Sequence, residues 1–378
     1  MTLSQRWLRG AAAAAACALL AASSCREEAG PVRLGVALSL TEPGVAPMVL
    51  GARLAAREIN AAGGIGGRTL ELVERDDFAD SDSAVGVAAA FYDSDVSAVI
   101  GGAYSGLTLA AAPVYNGGRD PVVQLSPSAS SPLLSGAGDY TFRLCPSDLA
   151  YGAALASFAL ERGLGRVALL YINDEYGRGF RQTFTAEFLR LGGKVEEADP
   201  FLADDPDVRH YLARIARQQR VDAIVLAANQ EEGLRVVAQI RAAGLRLPIL
   251  AGDGMVGAER TEPVTMEGTF IVSGYIIGAP HLRNRAFVTA YRRAFPEAGP
   301  PDQGAAASYD AVHLLAQVLE REGTGRERVR GGLAAVGGDE APYQGVVGTV
   351  AFNAAGDVPT LRATVGVARG GLLQPARE

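Results

Sequence analysis

The chain has 378 residues, 48% of them hydrophobic and 20% charged, enough apolar material to bury a large core and build two domains. Its formal charge is −7, and removing an initial export signal that carries Arg6 and Arg9 and no acid takes it to −9. That balance argues against a nucleic-acid partner, which requires a basic face.

In chain order, Arg6 and Arg9 precede an Ala/Leu run, Gly10 to Ala22, that is too short and too rich in small residues for a membrane span. It ends in Ala22-Ser23-Ser24-Cys25, and residues 1–24 read as a signal peptide. Cys25 resembles the bacterial lipoprotein processing site, whose cysteine is diacylated and becomes the mature N-terminus. Here Ala22 stands where a leucine is usual. Acylation would anchor the protein to a membrane face without spanning it; the alternative is an ordinary secretory signal followed by a chance cysteine. Cys17 leaves with the signal, so Cys145 has no intrachain disulfide partner and reads as a small buried hydrophobe.

From Val32 onward, strand-like apolar runs alternate with amphipathic stretches, the pattern of a parallel sheet covered on both faces. Strands are expected near Arg33 to Ser39, Thr69 to Arg75, Ser97 to Ile100 and Val122 to Leu125, then near Arg166 to Tyr171, Lys194 to Ala198, Ala223 to Ala227 and Pro248 to Ala251. Ala46 to Ala62 has helical spacing and stops at Gly63-Gly64. Asp80 to Ser83 offers N-caps for a helix over Ala84 to Tyr92. After Ala251 the order changes to a strand at Phe270 to Ser273, helices at Arg283 to Ala294 and Gln303 to Glu322, and short strands at Thr349 to Phe352 and Leu361 to Ala368. The fold class is therefore α/β, with two doubly wound lobes and a tail that returns to complete both. The expected division is 31–146 plus 280–345 for one lobe and 147–279 plus 346–378 for the other. A ligand cleft is expected where they face each other.

Two strand-to-loop junctions stand out: Gly101-Gly102-Ala103-Tyr104-Ser105-Gly106 and Ser126-Pro127-Ser128-Ala129-Ser130-Ser131-Pro132. If the strands before them are parallel neighbours, their C-terminal ends place hydroxyls and free amides beside one crevice, where α/β sheets hold ligands. The helix after Ser105 presents its N-terminal amides to a small anion such as a carboxylate. Tyr176 reads either as packing at a helix start or as a cleft wall. Asp253, in Gly252-Asp253-Gly254, reads either as a turn acid or as a carboxylate aimed at a ligand ammonium.

Other chemistry is poorly supported. Gly63-Gly64-Ile65-Gly66-Gly67 follows a helix and precedes a strand, the reverse of a dinucleotide loop. Lys194, the single lysine, has no phosphate loop before it, and His210, His281 and His313 show no metal-ligand spacing. Ser105 lacks the flanking glycines of a hydrolase elbow. Asp76, Asp77, Asp80 and Asp82 lack the glycine and glutamate of a calcium loop. No catalytic residue, metal or cofactor is expected.

Six stretches in order carry a resemblance: Gly51 to Ile65, Glu74 to Asp77, Ser126 to Pro132, Tyr140 to Leu144, Asp174 to Gly177 and Gly252 to Gly254. Together they resemble the Leu/Ile/Val-binding family of periplasmic solute-binding proteins over residues 32 to about 357. The resemblance implies the type I periplasmic binding fold, with two lobes joined by three strands, and delivery of ligand to an ABC permease and its ATPase. It implies that Ser105 and Ser130 hold the ligand carboxylate, that the Ser128 carbonyl and Asp253 meet the ammonium, that Tyr176 covers the ligand, and that Ala103 and Tyr104 line the first wall. Asn229-Gln230 stand where a tyrosine is frequent, and the loop around Pro47-Met48 lacks a common aromatic, which implies a more polar or roomier side-chain pocket.

The expected protein is thus a non-enzymatic, exported binding protein, a monomer anchored at Cys25, that takes an amino acid or related small carboxylate or amide. A ligand sensor of the same fold that signals through a partner protein is the second reading. An exported hydrolase is the third, without an assembled nucleophile and base.

Overall fold

A computed structural model describes residues 30–218 and 220–376, so the stretch read as a signal peptide and Cys25 lie outside the described residues. Two sheets organise the chain. The first consists of β1 (Val32–Leu38), β2 (Leu70–Asp76), β3 (Ala98–Gly101), β4 (Val123–Ser126) and β5 (Thr141–Arg143). All its pairings are parallel, in the spatial order β2-β1-β3-β4-β5. Parallel pairing forces a crossover between strands, and these are α1 (Ala46–Ala61), α2 (Ser81–Tyr92) and α3 (Ser105–Asn116).

The period of two along the strands decides which face each side chain covers. Leu34, Ala98, Ile100, Val123 and Leu125 share one core with Ala52 and Ala55 of α1, whereas Val99 joins Phe91 and Tyr115 on the other face. The first of these cores is completed from far along the chain by α11 (Gln303–Glu322) and α12 (Arg326–Ala334), while α10 (Leu282–Ala294) packs on α1 in a separate cluster of Leu54, Phe287 and Tyr291. Gly51 of α1 lies against Ala305 of α11 so closely that a Cβ there would stand 2.1 Å from the Ala305 carbonyl oxygen. This close approach of the two backbones needs glycine at position 51.

The second sheet contains β6 (Arg166–Ile172), β7 (Lys194–Phe201), β8 (Ala223–Ala227), β9 (Ile249–Ala251) and β10 (Phe270–Ser273), with β13 (Thr364–Arg369) and β14 (Leu372–Pro375) at one edge. Its order is β14-β13-β10-β9-β8-β6-β7, parallel except for the two edge strands. The hairpin β11 (Tyr343–Gln344) with β12 (Thr349–Val350) lies outside both sheets. Every residue of β8 is buried, as a central parallel strand requires. The helices of this half include α4 (Asp148–Glu161), α5 (Glu175–Arg190), α6 (Arg209–Gln218) and α7 (Gln230–Ala242), followed by the short α8 (Ala258–Thr261) and α9 (Pro263–Met266). In α5, Tyr176, Phe180, Phe184 and Phe188 recur at i, i+4 spacing, with ring centroids 6.1, 6.5 and 5.1 Å apart in succession. The inner three are fully buried, and the ladder delivers Tyr176 to the open end of the sheet.

Three segments connect the halves: 144–147 between β5 and α4, 274–281 between β10 and α10, and 362–363 before β13. The third differs from the sequence expectation of a change at residue 346. Val350, Phe352, Val358 and Leu361 pack into the first core, and the chain joins the second sheet only at Thr364. Their spacing is irregular, with no helical or strand period to show which core they belong to. Strand β5 was also not expected, since its three residues are too few to show alternation. Among the described residues no helix is long and apolar enough to cross a membrane.

Candidate functional site

Strands β3 and β4 are parallel neighbours, and the loops after them form one wall of a cavity of about 80 Å³. Ala103, Tyr104, Ser105, Ser128 and Ser130 line it from this side; Tyr176, Asn229 and Asp253 line it from the other half. All eight residues expected from the sequence therefore border one hollow. Sequence reading also left out Gly44, Val45, Val256, Asp302, Gln303 and Gly304. Gly299-Pro300-Pro301-Asp302 signals the helix start of α11, but nothing in sequence says that this start returns to the cleft.

The first wall is held by its own hydrogen bonds. Ser105 opens α3 and accepts the Ser131 amide at 3.2 Å. The Ser126 hydroxyl donates to the Gly102 carbonyl (2.8 Å) and accepts the Ala129 amide (2.9 Å), while the Ser128 hydroxyl donates to the Ala103 carbonyl (2.6 Å). Arg143, only 1% exposed, fixes the next turn by donating to the Ser130 and Ser131 carbonyls (2.8 and 3.0 Å) and pairing with Asp357 at 2.7 Å.

On the opposite wall, the Tyr176 hydroxyl donates to Asp253 Oδ1 and accepts the Gly254 amide, each at 3.0 Å. Both glycines of the turn are required by this stacking: a Cβ on Gly252 would meet the Tyr176 hydroxyl at 2.4 Å, and one on Gly254 the ring at 2.9 Å. Asp174 caps α5 through the Gly177 amide (2.7 Å), which fixes the helix start that carries Tyr176.

Asp253 has a second buried acid near it. Asp148 is fully buried, its amide donates to the Ser130 carbonyl at 2.9 Å, and neither carboxyl oxygen has a hydrogen-bond partner by geometry. Burial pushes both carboxyls up, Asp253 to about 7, and the charge of Asp253 raises Asp148 further. The Ser130 hydroxyl and, for Asp148, the Arg143 guanidinium act in the opposite sense. Two carboxyls in a dry space cannot both ionise cheaply, so this wall is poised to receive a positive group. Nothing in the sequence around Asp148 marks it as a neighbour of Asp253.

A family model described as periplasmic binding protein matches residues 31–371. The chain belongs to that family. Members of the family bind substrates and are not enzymes. This periplasmic binding protein is 26% identical over 334 residues to Leu/Ile/Val-binding protein homolog 1 of Brucella suis, covering 86% of this chain and 87% of the relative. Its fold is that of the branched-chain amino acid transporter substrate-binding protein LivJ from Streptococcus pneumoniae, solved with isoleucine. The TM-score is 0.82 at 27% identity, with 91% and 97% of the two chains covered. A solute-binding protein of an ABC transporter from R. palustris, solved with benzoate, has the same fold at 21% identity, with a TM-score of 0.82 over 92% and 96% of the chains.

Proposed function

We propose that this protein is the extracytoplasmic solute-binding component of an ABC importer and captures an amino acid, or a related small carboxylate or amide, between its two halves. The observation that carries the reading is the meeting of a buried carboxylate, Asp253, with the hydroxyls of Ser105 and Ser130 across one cavity that, among the described residues, no lysine, arginine or histidine lines. Ser105, Ser130 and the first amides of α3 receive the ligand carboxylate, and Asp253 with the Ser128 carbonyl receives the ammonium. Tyr176 orients Asp253 and covers the ligand, and Ala103, Tyr104 and Asn229 complete the walls. Ligand first engages one half; contacts made only on closure then shift the equilibrium toward the closed form.

An aromatic monocarboxylate, as held by the R. palustris neighbour, suits this chain less well. It would leave Asp253 without a counter-charge. Cys25 is the proposed point of lipid attachment, which would hold a monomer beside its permease and ATPase without a spanning helix. Thermal-shift screening of the processed protein against amino acids, amides and aromatic acids tests the reading. An amino acid at a hundred times its Kd adds about 2.7 kcal/mol of stability. If no amino acid raises the melting temperature while an aromatic acid does, the reading falls.

A further inference from the structure

Away from Asp253, the same cavity contains a second polar cluster that the head-group scheme leaves unused. Gln230, the first residue of α7, donates from Nε2 to the Val256 carbonyl at 2.6 Å, which fixes the orientation of its amide. Its Oε1 has no partner among the described residues, and the residue lines the cavity. The side chain reaches across the cleft, since a Cβ on Gly44 of the first half would meet Gln230 Oε1 at 3.2 Å. Asp302 lines the same end and is already neutralised: its Oδ2 accepts from Arg260 at 2.5 Å and its Oδ1 caps α11 through the Ala305 amide at 2.9 Å. A Cβ on Gly257 would touch Gln230, Arg260 and Asp302 together, so these three converge at one point.

This end therefore offers an open acceptor without an open charge. An aliphatic side chain closing over Gln230 would strip water from Oε1 and return no hydrogen bond. An anionic side chain would meet Asp302 and find no free cation, and a cationic one would find the Asp302 charge already taken by Arg260.

We infer that the ligand is an amino acid with a neutral, hydrogen-bond-donating side chain, a hydroxyl or a carboxamide, and that Gln230 selects it through Oε1. The inference rests on the head-group reading above and adds the identity of the side chain. A site built to bond a polar group rejects the analogue that lacks it far more strongly than an apolar pocket rejects a missing methylene.

The test is calorimetry on the processed protein, cleared of co-purified ligand, with L-serine, L-threonine, L-asparagine and L-glutamine against L-leucine, L-glutamate and L-lysine. At least one of the first four binds tenfold or more tighter than each of the last three. In Gln230→Leu the ratio of that ligand to leucine falls at least tenfold, while Asp253→Ala weakens both together. Leucine equal to or tighter than all four overturns this inference alone, as does an unchanged ratio in Gln230→Leu. Absence of binding by every amino acid overturns the head-group reading and this inference with it. The wild-type ranking decides the matter by itself if the variant does not fold.

Discussion

On the first wall of the cleft, the Ser126 and Ser128 hydroxyls are engaged with the Gly102 and Ala103 carbonyls, and Ser105 is held by the Ser131 amide. On the second, a carboxylate stands with the Tyr176 hydroxyl as its principal support and another buried acid as its neighbour. The first wall is satisfied before a ligand arrives and can act as a rigid dock. The second is electrostatically incomplete until a positive group reaches it, so closure over the right ligand is stabilised and closure over nothing is not. Under the proposed function, this difference would give docking to one half and ligand-dependent closure to the other.

Three measurements sharpen or break this contrast. The largest effect is expected for Asp253→Ala, which removes one partner of a buried charge pair and costs about 2–5 kcal/mol of binding, read by calorimetry. An affinity within threefold of wild type would take the charge off the second wall. Next comes pH. With Asp253 held at about 7, the folded empty protein keeps a proton between roughly pH 4 and 7 that the unfolded chain has lost. The stability of the empty protein therefore falls as pH rises through that window. An ammonium requires the ionised form, so amino-acid affinity is expected to be roughly thirtyfold weaker at pH 5.5 than at pH 8. Asp310 is likewise raised to about 7 by burial, but it accepts the Val346 and Val347 amides away from the cavity and acts on free and bound protein alike. A flat pH profile of affinity would contradict the role of Asp253. The smallest effect is expected for Ser105→Ala, which loses about 1 kcal/mol of stability and a few-fold in affinity, because the wall keeps its other bonds. A loss larger than that of Asp253→Ala would invert the comparison.

The same contrast explains what could be read from the sequence. Ser105 and Ser130 sit directly after apolar runs, and a strand's C-terminal end is a place local pattern can mark. Gly252-Asp253-Gly254 was visible for the same reason. Tyr176 was open to two readings, yet the 176-180-184-188 spacing was there to show which face of α5 it occupies. Asp148 and Asp302 escaped because each reaches the site through a crossing or a distant return. Their local signals, helix starts after Pro146-Ser147 and Pro300-Pro301, say nothing about what lies opposite. The third crossing escaped likewise, since its apolar residues have no period and the core they join is chosen by tertiary contacts.

The interleaved path has a consequence for how the molecule comes into being. The first core awaits Leu361, and the second sheet awaits β13 and β14, which end at Pro375. Neither half can be finished before the ribosome has made nearly the whole polypeptide, so closing both cores is a late event in the life of a nascent chain.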